Sequence, residues 1–237
     1  MYLVSQNFNV ANTPIRENSA SNLNADNIDS RQSQKIYNEI KHAVGDKTCL
    51  MVVGFSAQKY SNLTDVREKF ANIIDEIAKK TGSKDDMAVI SGATDCSITQ
   101  IANDPTLTGI NHNIGIVSEQ ARDCKGVEIN LNVGTTIYVP SKDGSWETKD
   151  AAGNQILAEI KEQCGIEKDC YFIAIGGGEI AREETIAAIK AGLNVTIVFA
   201  ETDNPKLDKN HQPLPSVNDL IKDSIIKRKN VKHYPIG

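Results

Sequence analysis

Cys170-Tyr171-Phe172-Ile173-Ala174-Ile175-Gly176-Gly177-Gly178-Glu179-Ile180-Ala181-Arg182-Glu183-Glu184-Thr185 is the stretch around which the chain is organised. An apolar run of β-forming residues ends in three consecutive glycines and then turns polar and acidic, the pattern of strand, tight turn and helix. Glycine lets backbone approach a ligand and adopt positive φ, and the free N–H groups of a helix start point outward with the helix dipole behind them. Such a junction suits phosphate or pyrophosphate. The plainer alternative is that Gly176, Gly177 and Gly178 only turn the chain and pack a helix against a sheet.

Working outward, the same alternation recurs. Thr48 to Gly54 is a continuous apolar run of the kind buried on both faces of a parallel sheet. A helix is expected over Leu63 to Lys80, with Val66, Phe70, Ile73, Ile74 and Ile77 on one stripe. Asp86 to Ile90 and Asn113 to Ser118 read as further strands, with a helix from about Cys96 to before Pro105. Lys125 to Asp150 supplies one more strand and a loop able to fold over a site, in which Trp146 is read as a peripheral packing anchor in preference to a lid. Helices are expected over Asp29 to Val44, Ala151 to Cys164 and Val217 to Lys227, and a last strand over Asn194 to Phe199. The fold class is therefore α/β, a doubly wound, largely parallel Rossmann-like sheet flanked by helices. Residues 1–30, rich in Asn, Ser, Asp and Gln, are expected to form a flexible arm before a single domain over 31–237 with a C-terminal helical extension.

Bulk chemistry narrows the function classes. The 237 residues carry a net charge of −5 and a pI near 5.4, which leaves no broad basic surface for nucleic acid. Lys227-Arg228-Lys229 is too short a cluster to change that. No apolar run is long enough to span a bilayer, and no signal peptide is read, so a cytoplasmic protein is expected. Of the odd set of five cysteines, three sit in or beside apolar runs and read as buried thiols, and the four scattered histidines have no metal-ligand spacing, so no metal and no cofactor are expected.

In a doubly wound sheet, ligands lie outside the strand carboxyl ends. Gly54 and Ser56, Ser91, Gly92, Thr94 and Asp95, Ser118 and the three glycines all fall there, and are the candidate ligand-binding residues. Arg182 and Arg122 are candidate phosphate ligands, against the default of surface salt bridges. Thr94 and Asp95 either meet sugar hydroxyls or cap the next helix. Glu183 and Glu184, placed in the first helical turn, either serve a ribose and an oxocarbenium-like transition state or simply complement the helix dipole. GxGxxG after the first strand and GxxxxGK[ST] are both absent, which disfavours ordinary dehydrogenases and ATPases.

Val53-Gly54-Phe55-Ser56, Ile90-Ser91-Gly92-Ala93-Thr94, Gly115-Ile116-Val117-Ser118 and Ile175-Gly176-Gly177-Gly178 through Glu183 together resemble the SLOG superfamily over about residues 48 to 200. That group includes the LOG cytokinin-activating phosphoribohydrolases, molybdenum-cofactor carrier proteins and nucleotide-sensing domains. Against the LOG motif PGGxGTxxE, Gly176 and Gly177 match the paired glycines and Glu183 the glutamate, while Glu179 and Ile180 replace glycine and threonine. The resemblance implies a small-molecule nucleotide partner of the AMP or ADP-ribose kind and a homodimer. Three readings follow. The first is a nucleotide or nucleotide-sugar binder. The second is a LOG-like nucleoside 5′-monophosphate phosphoribohydrolase or related N-glycosidase with Glu183 as catalytic carboxylate. The third is an interaction protein that keeps only the scaffold.

Overall fold

The computed structural model describes residues 19–141 and 144–235. In chain order the elements are α1 (Ser19–Val44), β1 (Thr48–Gly54), α2 (Leu63–Thr81), β2 (Met87–Ser91), α3 (Ser97–Ala102), α4 (Pro105–Thr108), β3 (Asn113–Ser118), α5 (Gln120–Asp123), β4 (Thr135–Val139), α6 (Ile156–Gln163), β5 (Cys170–Ile175), α7 (Glu179–Lys190), β6 (Asn194–Phe199) and β7 (Val231–Pro235). The seven strands form one sheet in the order β4-β3-β2-β1-β5-β6-β7, and every pairing is parallel.

Alternation along β1 explains the two-layered core. Cys49, Met51 and Val53 face a cluster built with α1, α6 and α7, while Leu50 and Val52 face one built with α2 and α3. Both faces of the strand are covered, which is why the sequence shows an unbroken apolar run and no polar alternation. The stripe on α2 behaves as its spacing predicts: Val66, Phe70, Ile73, Ile74 and Ile77 are all buried. Cys49, Cys164 and Cys170 are buried thiols.

Four boundaries differ from the sequence reading. α1 begins at Ser19 and not at Asp29, so part of the expected arm is helical; no Gly or Pro interrupts 19–44, and a nucleated helix propagates readily. The rest of the arm lies outside the described residues. α6 begins at Ile156 and not at Ala151, because Asp150 Oδ1 accepts from the backbone N–H groups of Ala152 and Asn154, both at 2.9 Å, and holds a turn in place of the first helical turn. Val217 to Lys227 forms two short 3-10 segments in place of one α-helix, since Asp223 adopts an extended conformation and its side chain caps Ile225 N at 3.0 Å. The chain then adds β7, an edge strand whose exposed Lys232 and His233 mask the β pattern.

At the centre, β1 and β5 run side by side with Gly54 in register with Ile175. A Cβ at Gly54 would lie 2.7 Å from Ile175 O and 2.9 Å from Ile98 Cγ1, and would also strike the Tyr60 hydroxyl. Gly54→Ala is therefore expected to destabilise the fold by about 1–3 kcal/mol, the usual cost of overpacking. Urea unfolding would measure it, and a change within error of zero would refute the close approach.

Candidate functional site

The chain leaves β1, builds outward through β2, β3 and β4, then returns to place β5 on the other side of β1. The order reverses between β1 and β5, and their carboxyl ends open the crevice where ligands lie in such sheets. Gly54 and the Gly176-Gly177-Gly178 turn meet there. Gly176 and Gly177 have φ of +52° and +116°, conformations that L side chains rarely adopt. A Cβ at Gly177 would lie 2.6 Å from Ala181 Cβ and 3.2 Å from Gly54 Cα, and one at Gly176 would lie 2.8 Å from Ala200 O. Gly178 differs from both. Its φ is −80°, and a Cβ added there would meet nothing within 4 Å.

Tyr60 secures this junction. Its hydroxyl donates to Ile175 O at 2.8 Å and accepts from Phe55 N at 3.3 Å, which joins the ends of β1 and β5 and accounts for the absence of a side chain at Gly54. Burial pushes the phenol well above its ordinary value, so it stays a donor. On the other flank Gly176 N donates to Val198 O at 2.8 Å, and Gly177 O accepts from Val217 N at 2.9 Å. Asn218 Nδ2 donates to Ala200 O at 2.8 Å, while its buried Oδ1 has no partner.

Gly178 is the N-cap of α7, and no side chain caps that 12-residue helix. The first-turn N–H groups and the positive end of the dipole therefore face the crevice. Because the helix starts at Glu179, Glu183 and Glu184 stand in its second turn and not its first. The third glycine caps the helix instead of forming part of the turn, which moves both glutamates one turn away from the amides. Arg182 N donates to Gly178 O at 3.0 Å, and its Nε is buried without a partner.

The remaining candidates divide into those at the crevice and those with internal partners. Ser56 is exposed on the loop after β1. Ser91 is fully buried; its hydroxyl donates to Gly92 O at 2.9 Å and accepts from Asn103 Nδ2 at 3.0 Å. Gly92 faces Thr99, whose Cγ2 would lie 3.3 Å from an added Cβ. Thr94 pairs with Ile129 in an isolated bridge, and Asp95 Oδ1 accepts from Asn130 Nδ2 at 2.8 Å, so both hold the segment before β4. Ser118 donates to Ser145 O at 2.8 Å and ties down the loop after β4. Arg122 stacks over the Tyr138 ring at 3.9 Å, away from the glycine turn in sequence and partner. Trp146 on that loop is 42% exposed.

The loop after β4 carries residues that sequence reasoning did not single out. Lys149 pairs with Gln155 in an antiparallel bridge, and its Nζ lies 2.5 Å from Glu147 Oε2 and 3.8 Å from Glu183 Oε2. Beneath them Glu184 is buried. Burial first, then the Glu147 and Glu183 charges, push its carboxyl up to about 8. Alternating polar residues in Ser145 to Lys149 were the available signal, and an acidic residue one helical turn past a glycine turn was the other.

A shallow depression of about 440 Å³, lined by residues including Lys161, Glu167 and Leu193, lies at the opposite, amino-terminal end of β5 and β6. It shares no residue with the glycine turn. Among the described residues no group of His, Cys, Asp and Glu is arranged to hold a metal, and no helix is long and apolar enough to cross a membrane.

These features define a class: an all-parallel, doubly wound α/β protein of Rossmann-like architecture with a glycine turn at its point of strand reversal. Compared with protein-family models and with curated proteins, the chain matches none.

Glu184 sets a pH dependence of stability. The native state keeps its proton up to about pH 8, whereas the unfolded chain releases it near 4.5. Between those values the native state binds more protons, so this contribution is full below 4.5 and is lost as the pH rises to about 8, with a slope near 1.4 kcal/mol per pH unit. Glu184→Gln is expected to remove the descent. Unfolding curves at pH 5, 6, 7 and 8 test this, and parallel trends for the two proteins would reject it.

Proposed function

We propose that the protein binds a nucleotide or nucleotide sugar of the AMP or ADP-ribose kind, with phosphate on the Gly176-Gly177-Gly178 turn. The observation that supports this most is the uncapped start of α7 at the β1–β5 reversal, with Gly178 facing open space. Backbone amides and a helix dipole make an anion site without basic side chains, which suits a protein of net charge −5. Arg182, with its buried unpartnered Nε, stands four residues into the same turn and supplies a guanidinium for the phosphate.

A second reading has its own support. Glu183 keeps a partly exposed carboxylate beside Lys149, while its neighbour Glu184 is held protonated at neutral pH. A carboxyl held protonated next to a second carboxyl is an arrangement that acid–base chemistry uses, including cleavage of an N-glycosidic bond. In that enzyme Glu183 stabilises cationic character at the anomeric carbon. The resemblance to the SLOG superfamily favours the same pair of readings.

Gly178→Asp separates the phosphate site from its scaffold. Its backbone suits any residue, and an aspartate there is a favourable N-cap, so the free protein should keep or gain a few tenths of a kcal/mol in stability. The carboxylate occupies the anion site, and the thermal shift given by AMP or ADP-ribose should vanish. An undiminished shift would move phosphate elsewhere. For the enzyme reading, chromatography of released base is the measurement: Glu183→Gln should abolish turnover and leave nucleotide affinity largely intact, and persistent turnover would remove Glu183 from that role.

A further inference from the structure

Gln155 on the 147–155 hairpin and Glu184 on α7 are both buried. Gln155 is 6% exposed and its Oε1 has no hydrogen-bond partner. Glu184 is 8% exposed and close enough to Glu147 and Glu183 to feel both charges. Lys149 and Gln155 are directly opposed in an antiparallel bridge, which puts their side chains on one side of the hairpin. Lys149 on that side reaches Glu147 and Glu183. Gln155 and Glu184 thus form the dry floor of a cluster whose rim is wet, with the Glu183 and Lys149 side chains 44% and 36% exposed.

A buried acceptor without a partner has lost its hydration and destabilises the fold. A carboxyl that holds its proton at neutral pH is a hydrogen-bond donor. A hydroxyl satisfies both, since it donates one hydrogen bond and accepts another. Glu183 and Glu184 stand about one and a half helical turns beyond the Gly178 cap, roughly 8 Å along the axis at 1.5 Å per residue, about the span from a 5′-phosphate to the hydroxyls of its sugar. Thr94 and Asp95, whose sequence position suggested sugar contacts, are engaged with Ile129 and Asn130 instead.

We propose that the floor between the hairpin and α7 is the sugar subsite of the nucleotide site, where a ligand hydroxyl hydrogen-bonds to Gln155 Oε1 and to the Glu184 carboxyl. This rests on the phosphate reading of the glycine turn, and the experiment separates the two. AMP, 2′,3′-dideoxy-AMP and pyrophosphate are titrated calorimetrically into the full chain, and into Gln155→Met and Glu184→Met, both close to isosteric. The wild type should bind AMP about 10-fold or more tighter than its dideoxy analogue, the usual discrimination of a built hydrogen-bonding site. Each variant should bring that ratio near one and leave pyrophosphate affinity unchanged. A purely structural role would weaken every ligand together and leave the ratio alone, which overturns the proposal. Equal binding of AMP and dideoxy-AMP by the wild type alongside firm pyrophosphate binding overturns the sugar subsite and spares the phosphate site. A ratio that survives both variants puts the hydroxyl elsewhere. No binding of any of the three overturns both readings.

Discussion

The approach of β1 to the turn after β5 is the constraint on which the rest of the molecule depends. Gly54 and Gly177 come so near that a Cβ on the second would sit 3.2 Å from the Cα of the first. Tyr60 closes the contact by joining Ile175 O to Phe55 N. Two consequences follow. The start of α7 is drawn against the end of β1, and its N-terminal amides open into the crevice. A glycine at any one of these positions would be ordinary; Gly54, Gly176 and Gly177 together keep Cβ atoms out of a junction that Tyr60, Phe55 and Ala181 already fill.

The parts of the fold that the sequence made legible are those buried on both sides. β1 and β5 read as strands because every position must be apolar, and α2 because one stripe must be. β7 was hidden because an edge strand with exposed Lys232 and His233 carries no such pattern. The short 3-10 segments near the C-terminus were hidden by a local competition, in which the Asp223 side chain satisfies Ile225 N and breaks the helix that the apolar spacing suggests.

The candidate site was legible in its backbone and obscure in its side chains. Glycines announce where Cβ atoms do not fit. A hydroxyl announces nothing about its partner: Ser91 and Ser118 both stand at strand ends, yet the first is tied to Asn103 and the second to Ser145. Gln155 gave no signal at all, because its burial depends on the turn that Asp150 stabilises and on the bridge to Lys149.

An acidic protein that holds an anion must keep its own charges from opposing it. Glu183 and Glu184 stand one turn beyond the α7 amides, and Glu147 reaches them from the hairpin, so three carboxyls share the neighbourhood of a proposed phosphate. The structure offsets this in two ways. Lys149 lies against Glu147 and Glu183, and burial keeps Glu184 uncharged at neutral pH. The two devices differ in firmness. The ion pairs are partly exposed and worth at most about 1 kcal/mol each, so they adjust easily. The burial of Glu184 is enforced by the core beneath α7, where Ala181, Ala188 and Ile189 pack against the sheet. Neutrality at the floor is thus built into the fold, and the charge at the rim is left free to respond to whatever enters the crevice.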